Sequence, residues 1–183
     1  MNIIKTPLEG LLILEPTVHG DDRGYFFESY NMQQLEAKAG YSTPFVQDNQ
    51  ARSIKNVLRG LHYQNPPTPQ AKLIRVLEGS IWDVAVDIRK GSKTYKQWFG
   101  IELSAENKLQ LLIPHGFAHG YAVLSDTAEV FYKCDNYYSK DCEVGVKWND
   151  PTLAINWGIA EQDALTSPKD DVLPAFADFV SPF

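Results

Sequence analysis

The chain has 183 residues, of which 44% are hydrophobic and 22% charged, and its 17 Lys and Arg against 23 Asp and Glu give a formal charge of −6. That is the length and composition of one globular domain, residues 1–183, with a core of its own, and not of a disordered chain. Nucleic acid and anionic membranes both call for a basic surface, so the charge argues against either as a partner, while a small anion needs only a few local cations.

Short apolar segments with period-two alternation recur along the chain, separated by turn residues. The first two cover residues 11–15 and 24–30. Asn31 to Ala39 then reads as the best helix, with Asn31 as N-cap and Gly40 as its stop. Further strands fall at 57–64, 71–77 and 80–89. In the last of these, Trp82, Val84, Val86 and Ile88 share one face and Asp83, Ala85 and Asp87 the other, so it reads as a strand with a single buried face. Strands follow at 97–103, 109–113, 120–124, 128–135 and 143–148, and a short helix near Glu161–Leu165. Strands without alternating helices argue against a Rossmann or TIM architecture. They point to an all-β fold, a β-sandwich or jelly roll with short helices and a C-terminal helical or irregular extension.

The longest apolar runs, such as Gly10–Leu14, are far too short to cross a bilayer. Met1–Lys5 lacks the charged start, apolar middle and cleavage site of a signal peptide. A cytoplasmic protein is the expectation, with Cys134 and Cys142 kept as reduced thiols.

Four histidines, His19, His62, His115 and His119, are the main candidates for chemistry. No Gly-x-Ser-x-Gly elbow, Walker A loop, Gly-x-Gly-x-x-Gly or His-Glu-x-x-His accompanies them. The Pro114-x-Gly116-x-x-His119 turn is similar to the second motif of metal-binding cupins. The first such motif needs a His-x-His pair, and Leu61-His62-Tyr63-Gln64 lacks it. His62 and His119 alone are too few ligands for a stable centre, so no metal is expected. Polar groups also sit inside strands that should be apolar. Strict alternation puts Arg59 and His62 on opposite faces, and Gly60 between them could mark a bulge that re-aims one of them.

Several motifs occur in a fixed order. They are Asp22-Arg23-Gly24-x-Phe26-x-Glu28, Phe45-Val46-Gln47-Asp48-Asn49, Leu58-Arg59-Gly60-Leu61-His62, Lys72-Leu73-Ile74-Arg75-Val76 and Pro114-x-Gly116-Phe117-Ala118-His119-Gly120. Tyr132-Lys133, Tyr138, Asn149-Asp150-Pro151 and Ser167-x-Lys169-Asp170 complete the series. The ordered set resembles the dTDP-4-dehydrorhamnose 3,5-epimerase family over nearly the whole chain.

The resemblance implies a cupin-type jelly roll that uses no metal or other cofactor and acts on a dTDP-4-keto-6-deoxy sugar. It implies His62 as base, Asp170 as the carboxylate that orients it, Lys72 as the cation for the enolate oxygen and Tyr132 as the acid on the opposite face. It further implies Arg23, Arg59 and Lys169 at the phosphates or sugar, and Phe26, Glu28, Gln47, Asp48, Asn49, His119 and Glu143 as substrate contacts. Tyr138 would stack on thymine. The segment from Arg23 to Glu28 would reach across the interface of a homodimer. Related epimerases that invert a single centre, a metal-dependent cupin oxygenase and a non-catalytic sugar-binding jelly roll are the competing readings.

Overall fold

A computed structural model describes residues 1–183. In chain order its elements are β1 (Asn2–Lys5), β2 (Leu12–Glu15), β3 (His19–Asp21), β4 (Gly24–Phe26), α1 (Met32–Ala39), β5 (Gln47–Ile54), β6 (Leu58–Gln64) and β7 (Lys72–Glu78). They continue with β8 (Ser80–Asp87), β9 (Trp98–Ser104), β10 (Gln110–Ile113), β11 (Phe117–Val123), β12 (Thr127–Cys134), β13 (Glu143–Gly145) and α2 (Pro168–Asp171). One sheet has the order β1-β2-β10-β7-β12-β5 and the other β13-β6-β11-β8-β9, while β3 and β4 form a separate hairpin. Every strand pair is antiparallel. This is the expected sandwich, and no helix is long and apolar enough to cross a membrane.

The two sheets close over a core that includes Ile74, Val76, Leu111 and Val130 from one side and Ile81, Ala85, Leu103 and Val123 from the other. Helix α1 starts and stops where the sequence indicates. Asn31 Oδ1 accepts from the Gln34 N–H, and Gly40, at φ 69°, closes the last turn onto Glu36. The short helix expected near Glu161–Leu165 is a single 3₁₀ turn, Glu161–Asp163. Neither cysteine forms a disulfide.

β8 is buried on both faces, not on one. Asp83, Ala85 and Asp87 are as fully buried as Val84 and Val86. β8 is an inner strand, and the C-terminal extension covers its outer side. Trp148, Leu153, Trp157 and Phe176 pack on Val84, Val86 and Ile88 there. Asp150, itself buried, pins this extension by accepting from the backbone N–H groups of Thr152 and Phe176 at 2.8 and 2.7 Å. At the end of β8, Asp87 accepts from Arg89, Ser92 and Thr94, bonds that more than offset its burial and hold its carboxyl at about 2.

The bulge anticipated at Gly60 exists. His62 pairs with His119 and Arg59 with Tyr121, so β6 spends one more residue than β11 between the same two rungs. The extra residue moves Arg59 and His62 to one side of the sheet. The local crossing is tight. A Cβ on Gly60 would lie 2.5 Å from Gly120 Cα and 2.7 Å from the His119 carbonyl oxygen, and Gly60 sits at φ 127°. Gly60→Ala should therefore cost at least about 2 kcal/mol of stability. An unchanged denaturant midpoint in that variant would show that the strands can part without penalty.

Candidate active site

The interior between the sheets is polar at one end. A cavity of about 310 Å³ there is lined by Arg59, His62, Lys72, His119, Tyr132 and Asp170, among others. A second hollow of about 150 Å³ shares His62, Lys72, Tyr132 and Glu143 with it and adds Gln47, Asn49 and Tyr138. The two therefore form one continuous cleft. The sheet topology fixes which groups oppose which. His62 and His119 stand on neighbouring strands β6 and β11 of the five-stranded sheet. Lys72 and Tyr132 stand on neighbouring strands β7 and β12 of the six-stranded sheet. Histidines thus line one wall, and the ammonium and phenol line the other.

Asp170 arrives from the C-terminal extension. Ser167 caps α2 and also donates its hydroxyl to Asp170 Oδ2 at 2.9 Å. The other carboxylate oxygen lies 2.5 Å from His62 Nε2, and the Asp170 side chain is 3% exposed. Burial pushes the Asp170 carboxyl up, but the hydrogen bonds from His62 and Ser167 outweigh it and leave the group below the usual carboxylate range. A buried carboxylate on Nε2 fixes the ring's orientation.

Burial sets the remaining titrations. It lowers the affinity of Lys72 for its proton, with Cys134, Asp83 and Glu143 pulling the other way. It pushes the Tyr132 phenol to about 12, so this group is a protonated donor at neutral pH. Arg59 is braced by Ser53, whose hydroxyl accepts from Nε and a terminal nitrogen at 3.2 and 3.1 Å. Glu143 accepts from Tyr138 at 2.7 Å and pairs with Lys169 at 2.5 Å, linking the loop that carries Tyr138 to α2. Gln47 and Gln64 accept from the backbone N–H groups of Tyr138 and Ser139 and so hold that loop. No three His, Cys, Asp or Glu side chains converge as a metal-binding group.

Four of the anticipated residues do not reach the cleft of their own chain. Asp48 points away from Gln47 and Asn49 and pairs with Lys133 on the next strand at 2.8 Å. Arg23 and Phe26 lie on the β3–β4 hairpin, where the Arg23 side chain is 90% exposed and bonded only to Asp21. Glu28 accepts from Asn31 and Gln34 at the start of α1. Conversely, Tyr121 and Asp83 belong to the site although no motif or spacing singles them out. Tyr121 lines the cavity, and Asp83 meets His119 Nε2 at 2.9 Å. His115 stays outside. It pairs with buried Asp135 at 2.8 Å, which also accepts from Tyr41.

The model of dTDP-4-dehydrorhamnose 3,5-epimerase matches residues 5–178. The chain belongs to that family, and it is an enzyme of the isomerase class. It is 54% identical over 170 residues to dTDP-4-dehydrorhamnose 3,5-epimerase of Shigella flexneri, covering 93% of both chains. The crystal structure of the Elizabethkingia anophelis enzyme of that name superposes with a TM-score of 0.94 at 53% identity, over 97% of each chain. A Legionella pneumophila epimerase, solved in complex with dTDP-4-keto-L-rhamnose, gives 0.93 at 49% identity, over 98% of this chain and 94% of that one. More distant is a Streptomyces bikiniensis 3'-monoepimerase solved with dTDP as a double mutant, His to Asn and Tyr to Phe, at 31% identity and a TM-score of 0.88 over 94% of this chain and 86% of that one.

The His62–Asp170 pair has a measurable signature in stability. Asp170, with its carboxyl lowered, contributes stability that is present above the ordinary value near ~3.9 and lost as pH falls through the lower folded value. The urea-midpoint advantage of wild type over Asp170→Asn should hold at neutral pH and shrink below about pH 4. A constant advantage down to pH 3 would contradict the pairing.

Proposed function

We propose that this protein epimerises dTDP-4-dehydro-6-deoxy-D-glucose at C3 and C5, giving dTDP-4-dehydro-L-rhamnose, without a cofactor. The observation that carries the reading is the opposition of an Asp-held histidine on one wall of the cleft to a protonated tyrosine on the other, with a lysine beside the tyrosine. The 4-keto group acidifies the protons at C3 and C5. His62 removes each proton, and Asp170 stabilises the imidazolium that results. Lys72 carries the charge that develops on the enolate oxygen, a term that is large in a water-poor site. Tyr132 returns a proton from the opposite face, which inverts the centre, and Arg59 eases the transient phenolate. Before the second carbon reacts, the His62 imidazolium gives its proton to solvent and the Tyr132 phenolate takes one up.

The nucleotide reading rests on the rest of the cleft. Arg59 and Lys169 face the diphosphate, and Gln47, Asn49 and Tyr138 receive the thymidine end. The Streptomyces double mutant is consistent with the assignment, because its two substituted positions are the same distance apart in sequence as His62 and Tyr132. Inversion at both carbons is favoured over a single inversion by the 54% identity to a 3,5-epimerase against 31% to the monoepimerase.

The same reading makes the protein a homodimer. Arg23, Phe26 and Glu28 serve the site of the partner subunit, which explains why the hairpin leaves Tyr25 and Phe26 63% and 71% exposed.

Incubation with the 4-keto sugar in heavy water should place deuterium at both C3 and C5. Label at one carbon only would make the enzyme a monoepimerase, and no label at either would overturn the reading. The dimer is tested by mixing. Arg23→Ala should lose about 10- to 100-fold in kcat/KM, the loss expected for one charge-assisted phosphate contact, and His62→Ala should be inactive. Co-expressed, the two should regain activity, since each mixed dimer holds one intact site. Absence of recovery would place the hairpin outside the partner's site.

A further inference from the structure

The cleft contains a second His–Asp pair that the proton transfer does not use. His119, 7% exposed, sits directly opposite His62 across the β6–β11 ladder. Its Nε2 lies 2.9 Å from Asp83 Oδ2. Asp83 is the diagonal neighbour of His119 in the ladder, since His119 pairs with Ala85 and Tyr121 with Asp83. The Asp83 side chain is 0% exposed, and its Oδ1 has no hydrogen-bond partner in the chain.

A buried carboxylate accepts hydrogen bonds and cannot donate them. The proton of a neutral His119 must then lie on Nε2, facing Asp83. Nδ1 is left with its lone pair on a ring that lines the cavity. Burial also lowers the affinity of His119 for a second proton, with Asp83 opposing that effect and Lys72 and His62 adding to it.

We propose that Asp83 is a positioning residue, which locks His119 in the Nε2–H tautomer so that Nδ1 accepts a hydrogen bond from a hydroxyl of the bound sugar. His119 then reads a hydroxyl donor and does not compete with Lys72 for the enolate oxygen. Asp83 touches no substrate and acts only through the ring. What Nδ1 meets rests on the epimerase reading above. The tautomer itself does not, so the two can fail separately.

The test begins with ligand-free wild-type protein labelled with 15N at histidine. Long-range 1H–15N spectra at neutral pH should show His119 protonated at Nε2 and unprotonated at Nδ1. A proton on Nδ1, or a doubly protonated ring, overturns the proposal whatever the variants do. Asp83→Leu keeps roughly the same volume and removes the acceptor. It should give mixed tautomers and cut kcat by about 10- to 100-fold, as loss of an orienting partner typically does, with dTDP affinity kept within about threefold. Asp83→Asn retains an acceptor oxygen and should recover the Nε2–H spectrum and most of kcat. Wild-type kcat together with the wild-type tautomer in Asp83→Leu would also overturn it. If Asp83→Leu fails to fold, the wild-type spectrum decides alone.

Discussion

The site depends on two strands that pass too close for side chains. Gly60 and Gly120 face each other where β6 carries its extra residue, and neither position tolerates a Cβ without moving backbone. The bulge costs β6 its regular alternation. In return, Arg59 and His62, three residues apart, both line the cleft. Without it one of the two would turn to the outer side of the sheet, where the C-terminal extension packs apolar residues. The backbone irregularity and the chemistry are thus the same feature seen at two levels.

Charge is handled locally. The chain is acidic overall, yet the cleft gathers Arg59, Lys72 and Lys169 against Asp83, Glu143 and Asp170. Most of these groups are already tied to one another or to neutral partners. Asp170 holds His62, Asp83 holds His119, Glu143 holds Lys169 and Ser53 braces Arg59. Pairing keeps the cost of burying such groups tolerable and fixes their geometry before a ligand arrives. Lys72 has no salt-bridge partner within 4 Å, which suits the role proposed for it, meeting charge that develops only during reaction.

Much of the fold was legible because the inner strands alternate or run apolar, and helix α1 was bounded by a clear cap and stop. The edges were harder. β5, Gln47–Ile54, is polar on both faces, one turned to the cleft and one to solvent, so it carries no hydrophobic period. β1 and β3 are short and mostly exposed. The burial of Asp83 is hidden from the sequence for a physical reason. Alternation marks a polar face as wet, but here a second layer of chain covers the outside of the sheet and the polar face looks inward. The bulge at Gly60 could be suspected from one glycine between two functional-looking residues. The facing of His62 and Tyr132 could not, because it arises only when two sheets close on each other. The roles proposed for them rest on the ordered motifs and not on any periodicity.

On the proposed mechanism the two walls of the cleft divide the work, with deprotonation from the His62 wall and reprotonation from the Tyr132 wall. The most direct measurement separates the two steps by NMR in heavy water with Tyr132→Phe. C3 and C5 should still exchange for deuterium, since His62 and Lys72 are intact, while inversion falls by orders of magnitude. Loss of exchange together with inversion, or inversion at the wild-type rate, would contradict the assignment of the two walls.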